Sequence, residues 1–401
     1  MDLDDGEQHH AQISGGQTVS PPALAASTGD DRVDAFLRDT ARMFERDYPG
    51  RLKACYVVGS YAYGAAAPSS DLDLTVVFRD AFLDGAERRQ ATQSFLDHAA
   101  DWPSALDMDL QDEVTLRHTN GDSPVGPMLK YGSLLVYGDD IRDALLVLPV
   151  ANWACRAMHS GYWCVARGDG LPPIVTYPLS YPDPTGEFYG YDAPDHAPDV
   201  IAPDCGRVRR SNRSDRPGTR SLATGILWAA TGLIAHRAQV YVLRKRDVPA
   251  LYAQHIGGEW ADLLEELYRR CRDEWDYAIP LEPAHRAQLR ALCARVLGFE
   301  NYALVQYRES LPDTLLTGDD NDKLYALRFL RLKPLHDNDA IAALVGLCTD
   351  ENAEVRQRAE EILKVIEGQD NRAWAPLPAG DICHPHFLTA HTTAPIAVAR
   401  Q

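Results

Sequence analysis

The sequence predicts a mixed-sheet α/β domain, then an all-α helical bundle, then a short extension of helical hairpins. Three observations carry this expectation. Short β-type runs interleave with helical periodicity over the first third of the chain. Helical periodicity resumes after about residue 146 and dominates to residue 367. One long Pro-, Asp-, Tyr- and Gly-rich stretch interrupts it, from about 168 to 218. The chain has 401 residues, 45% of them hydrophobic, which suits two or three cores and excludes wholesale disorder. No run reaches the ~18–20 apolar residues of a membrane span, so no membrane partner is expected.

Residues 1–30 are poor in large apolar side chains and read as a flexible tail. Val33, Phe36, Leu37, Ala41 and Phe44 then recur at helical spacing over 31–48. KACYVV (53–58), DLDLTVVF (71–78) and SALDMDLQ (104–111) are β-type runs, with a helical stretch around 85–100. These elements make a domain over 31–145. A helical bundle follows over 146–312, with helices at 146–166, 219–244, 247–256, 258–275 and 283–308 and a long loop at 168–218. Residues 313–368 form helical hairpins. The phrase LCTDENAEVRQRAEEIL there is HEAT-like, which makes a protein partner at these helices an expectation, although a cap on the bundle is the simpler account. Residues 369–401 read as a second flexible tail. Its Cys383, His384, His386 and His391 lack zinc-ligand spacing.

The formal net charge is -18, from 58 acidic and 40 basic residues. That sign repels phosphate backbones and argues against a nucleic-acid partner, while suiting a cationic small molecule. The 8 cysteines contain no CxxC pair and read as reduced thiols of a cytoplasmic protein.

Chemistry concentrates in ACYVVGSYAYGAAAPSSDLDLTVVF, residues 54–78. A strand delivers Gly59 and Ser60, and a second strand opens at Asp71-Leu72-Asp73-Leu74. On an extended strand Asp71 and Asp73 face one side while Leu72 and Leu74 face the other. Two adjacent carboxylates repel unless a cation lies between them, and paired carboxylate oxygens suit a hard ion such as Mg²⁺. Gly59 permits close backbone approach, and Ser60 adds a hydroxyl at an expected helix N-terminus. Together they read as a phosphate cradle. Asp107 is the first choice for a third carboxylate, with Asp109 as the alternative. Its role would be metal ligand or general base. Taken alone, an Asp-x-Asp at a strand start is a solvated turn. The Gly-Ser pair at this distance, a strand on each side and a third acid together favour the metal site.

This arrangement resembles the signature of the polymerase-β-type nucleotidyltransferase superfamily. Lys130–Arg142 (KYGSLLVYGDDIR) and Arg244–Tyr252 (RKRDVPALY) are similar to segments of the antibiotic adenylyltransferases, which act on aminoglycosides. The resemblance is specific over about 50–145 and loose over 220–300. It implies an NMP transferase, using ATP or another NTP with Mg²⁺, that modifies a hydroxyl of a small acceptor. It also implies that Lys245 or Arg246 contacts nucleotide phosphates, against the plainer reading of a charged helix end in water. The 168–218 stretch and the 311–401 extension have no counterpart in that pattern, so the activity class carries over better than the acceptor. Transfer to a protein or an RNA, or a non-catalytic module that retains the fold, are the competing expectations.

Overall fold

The computed structural model describes residues 23–368, except 124, 167–173, 182, 193, 196–199, 203–205 and 211–213. The expected tail at 369–401, with Cys383, His384, His386 and His391, lies outside the described residues.

Helix α1 (Asp31–Asp47) begins where the Asp30 carboxylate accepts from the Arg32 and Val33 amides at 2.9 and 3.0 Å. Its inner face buries Val33, Leu37, Ala41 and Phe44. The segment before it is ordered, which shortens the expected tail. The Ala25 amide donates to the Val136 carbonyl at 2.9 Å, and Thr28 Oγ1 donates to the buried Asp34 at 2.7 Å.

The sheet has six strands in the order β4-β1-β2-β3-β7-β6. They are β1 (Leu52–Val58), β2 (Leu72–Phe78), β3 (Leu106–Asp112), β4 (Leu134–Gly138), β6 (Val200–Ala202) and β7 (Arg207–Arg210). β2 and β3 run parallel, joined by the crossover helix α2 (Gly85–His98), and the other pairs are antiparallel. One sheet face packs Leu72, Leu74, Val76, Phe78, Met108 and Leu110 with α1 and α2. The opposite face packs Ala54, Tyr56 and Val77 with Leu116 of α3 (Glu113–Thr119) and Leu129 of α4 (Gly126–Gly132). The alternate residues at the β2 and β3 starts open onto this second face, beyond the apolar patch.

The stretch read as a long loop at 168–218 is corrected by β6 and β7, which complete the sheet, and by the small β5 (Pro194–Asp195) and β8 (Ser214–Pro217) pair. Arg207-Val208-Arg209 has the period of two that a strand needs. Val208 is fully buried among the sheet's apolar residues, and its charged neighbours masked the pattern. Gly206 makes the approach possible: its φ is +73°, and a Cβ there would lie 2.3 Å from the Leu110 carbonyl oxygen. The sheet therefore draws on residues well beyond 145, where the first domain was expected to end.

The remaining helices are α5 (Val150–Ala166), α6 (Arg220–Ala238), α7 (Val248–His255), α8 (Glu259–Tyr268), α9 (Pro283–Thr317), α10 (Asp320–Leu332), α11 (Asn338–Leu347) and α12 (Ala353–Ile366). α5 and α6 meet backbone to backbone, since a Cβ on Gly232 would lie 2.8 Å from the Ala157 carbonyl oxygen. The boundary expected at 312–313 falls inside α9. Leu311 and Leu315 are both buried there and keep one helical face in the core through Pro312. Phe329, Leu344 and Ile362 of α10–α12 join the same apolar cluster as α5, α6 and α9. No helix among the described residues is long and apolar enough to cross a membrane.

One buried acid in this core gives a pH-dependent stability. Glu300 of α9 accepts a 2.5 Å hydrogen bond from Tyr191 Oη, and burial pushes its carboxyl up to about 8 from an ordinary 4.5. The unfolded chain ionises first, so stability falls as pH rises from 4.5 towards 8. Glu300→Gln keeps an acceptor for Tyr191 and removes the ionisation. Its melting temperature is expected to exceed that of the wild type by several degrees at pH 8 and to match it near pH 4, measured by calorimetry, for a gain of about 3–4 kcal/mol at the alkaline end.

Candidate active site

The site begins at the end of β1. Val58 is in register with Asp73 across the β1–β2 pair, so Gly59 lies against Asp73. Gly59 has φ +72°, and a Cβ there would fall 2.4 Å from Asp73 Oδ2. Only glycine serves both the left-handed backbone and this approach. The helix N-terminus expected at Ser60 is only a one-turn 3-10 segment, Gly59–Tyr63, where the Ser60 carbonyl accepts from the Ala65 amide at 3.0 Å. Gly64, at φ +60°, ends it, and a connector of small residues runs on to Asp71.

The parallel β2–β3 register sets Asp73 opposite Asp107 and Thr75 opposite Asp109. Asp107 is thus the acid beside Asp73. Asp109 stands one step further along, where its Oδ1 accepts from the Gln111 side-chain amide at 2.7 Å. Strand β7 brings a basic row to the same face, with Arg209 paired to Asp107 and Arg207 to Asp109. Arg207 Nη2 lies 3.4 Å from Asp107 Oδ2, and the two side chains are only 4% and 11% exposed.

Burial, followed by the charges of Asp71 and Asp107, holds the Asp73 carboxyl well above the usual range, against the pull of Lys245 and Arg209. Burial likewise lowers Lys245, while Asp71 and Asp73 oppose that shift and Arg220 adds to it. Asp73 and Lys245 both keep surface open to water. That contact with water tempers both effects.

Of the two basic candidates, Lys245 lies within range of both acids, with its ammonium 5.9 Å from the Trp228 ring centre. Arg246 is turned away: it is 3.6 Å from Asp247, and its guanidinium lies 5.7 Å from the Tyr63 ring. Trp228 is half-buried beside Lys245. Several helix acids that could face a cationic acceptor are committed elsewhere. Glu266 pairs with Arg270 and Arg295, Asp273 with Arg272, Glu274 with Arg269, and Glu300 is buried against Tyr191. Arg207, Arg209 and Arg220 belong to a basic run that reads from sequence as a charge-bearing loop, with closure over nucleotide phosphates as the other reading. The alternation around Val208 was the signal for the first two, and nothing local marks Arg220.

Among the described residues, no three or more His, Cys, Asp or Glu side chains form a ready-made metal cluster. The site is a carboxylate group, Asp71, Asp73 and Asp107, with Lys245, Arg207 and Arg209 beside it and Arg220 close to Lys245. Such a set suits a ligand that brings both a cation and negative phosphate oxygens.

Residues 37–118 match the family model described as "Nucleotidyltransferase domain". The matched span contains Gly59, Ser60, Asp71, Asp73, Asp107 and Asp109, so the chain carries a nucleotidyltransferase domain at this site. A crystal structure of spectinomycin adenyltransferase AAD(9) from Enterococcus faecialis, with ATP and spectinomycin, is similar at TM-score 0.39 and 10% identity, covering 66% of this chain and 98% of that one. No curated protein matches the chain.

Proposed function

We propose that this protein transfers AMP from ATP to a hydroxyl of a small acceptor, an aminoglycoside-like polycation or another metabolite, with Mg²⁺. The observation that carries the reading is the placement of Asp73 beside Asp107, with Gly59 packed on Asp73, inside the nucleotidyltransferase domain. The donor set fits a hard divalent cation. The charges of Asp71 and Asp107 add to the cost of ionising Asp73, and a cation beside it relieves that cost. Asp71 and Asp73 would hold Mg²⁺, with Asp107 as a further ligand or the group that receives the acceptor's proton. Bound there, the ion would supply Lewis acidity at the phosphate oxygens.

The protein's own part is positioning. Gly59 and Ser60 lie where the backbone can approach the departing phosphates. Lys245 and Arg209 face the acids from two elements, with Arg220 close to Lys245, and together they would neutralise phosphate charge. The acceptor hydroxyl attacks the α-phosphorus in line, the new O–P bond forms as the bond to pyrophosphate breaks, and the hydroxyl proton leaves towards Asp107. The net charge of -18 favours a cationic acceptor over RNA.

The test is pyrophosphate release from ATP, and from other NTPs, with Mg²⁺ and a panel of aminoglycosides and polyols. Acceptor-dependent release is the expected result. Nucleotide binding without release on any acceptor would overturn the small-acceptor reading, and no nucleotide binding would overturn nucleotidyl transfer itself.

A further inference from the structure

The connector between Gly64 and Asp71, GAAAPSSD, has no large side chain with which to anchor itself. Its internal bonds are few. The Ser70 amide donates to the Ala67 carbonyl at 2.9 Å, and the Ala67 amide donates to Ser70 Oγ at 2.8 Å. The Ala65 amide is held by the Ser60 carbonyl, and further anchors come from the helical part of the chain. Arg272 Nη2 donates to the Ala65 carbonyl, Ser69 Oγ donates to Asp276 Oδ1 at 2.7 Å, and Arg220 Nη2 donates to the Ser69 carbonyl at 2.5 Å.

The segment that offers Arg272 and Asp276 has an unusual backbone. Residues Arg269–Glu274 form a π-helical turn, and Asp276 and Tyr277 follow with φ +44° and +61°. Two successive non-glycine residues in the left-handed region are costly and persist only where neighbours determine them. Here the Tyr277 amide bonds the Cys271 carbonyl at 2.6 Å, the Tyr277 carbonyl accepts from Thr219 at 2.7 Å, and the Arg220 guanidinium lies 4.5 Å from the Tyr277 ring centre. The distortion turns Arg272 and Asp276 onto the connector. π-Turns recur at functional sites for this kind of re-aiming.

We propose that Arg272 and Asp276 are positioning residues that latch the 64–71 connector from the helical part and thereby set Asp71 beside Asp73. The role given to Asp71 rests on the nucleotidyl-transfer reading; the latch itself does not. Assembly of the acidic site then depends on docking of the helical part against the sheet.

The test is amide hydrogen exchange at Ala65, Ala67 and Ser70 in the full chain, with Mg²⁺-ATP titration of the same samples. Ser69→Ala and Arg272→Ala are each expected to speed exchange at these amides about tenfold, the size of one lost side-chain hydrogen bond, with exchange in α9 unchanged. Asp276→Asn keeps the acceptor for Ser69 and tolerates the left-handed backbone, and it is expected to stay within about twofold of wild type. Half-saturation by Mg²⁺-ATP should rise about tenfold in the first two variants and not in the third, with the KM for the acceptor unmoved. Unchanged connector exchange in Ser69→Ala and Arg272→Ala overturns the latch. Faster exchange with unchanged Mg²⁺-ATP half-saturation overturns the positioning of Asp71. If wild type binds no Mg²⁺-ATP, the nucleotidyl-transfer reading fails, and connector exchange alone still decides the latch.

Discussion

Asp73→Asn is expected to lower nucleotidyl transfer by about a thousandfold, roughly 4 kcal/mol of barrier, while making the folded chain more stable. The two effects share one cause. Asp73 sits where β1, β2 and β3 converge, against Gly59, across from Asp107 and near Asp71. Burial and those neighbours hold its carboxyl above the ordinary 3.8. A carboxyl whose folded pKa is raised disfavours the native state above the unfolded pKa and has no effect well below it. Asparagine has the same shape and carries no charge. The melting temperature of the variant should therefore exceed that of the wild type at pH 7 and converge on it near pH 3. Pyrophosphate release and calorimetry on one preparation check both arms. A loss of activity accompanied by a lower melting temperature at pH 7 would instead point to misfolding.

Arg207→Ala is expected to destabilise the chain by about 3–5 kcal/mol, the range for breaking a buried ion pair by removing one partner. Arg207 and Asp107 are both largely shielded from water, 3.4 Å apart, on neighbouring strands. Alanine leaves a carboxylate beside Asp73 without its nearest cation. The double variant Arg207→Ala, Asp107→Asn should recover much of the loss, because the charge that needed a partner is gone. Chemical denaturation of the single and double variants measures the coupling. A single-variant cost below about 1 kcal/mol would mean that water reaches the pair.

The parts of this site that are local in sequence were legible. Gly59, Ser60, Asp71 and Asp73 fall within one strand-turn-strand unit, and the strand period places the two acids. The early place of Asp107 in its run made it the first choice over Asp109, but which of the two stands opposite Asp73 depends on the β2–β3 register, which no local pattern encodes. The helices announced themselves by periodicity, α6 to α9 especially. β7 did not, since arginines flank its single buried valine and turn-forming residues surround it. Lys245 and Arg246 are adjacent in sequence, and only the packing of the segment after α6 separates the one near the acids from the one paired with Asp247. Arg220, Arg272 and Asp276 act through the fold, on a connector about 150 to 210 residues away in the chain. Contacts of that separation leave no periodic trace.

The chain order of the sheet also bears on how the protein can be divided. β7 and β6 arrive after α5, yet they cover the outer side of β3. A fragment ending near residue 145 would leave β3 as an unprotected edge, its amides and carbonyls open to any passing strand, and would strip Asp107 of Arg207 at the same stroke. Such a fragment invites strand-to-strand aggregation. A ribosome releasing this chain faces the same hazard until the hundred residues from Asp107 to Arg207 have emerged to close the sheet.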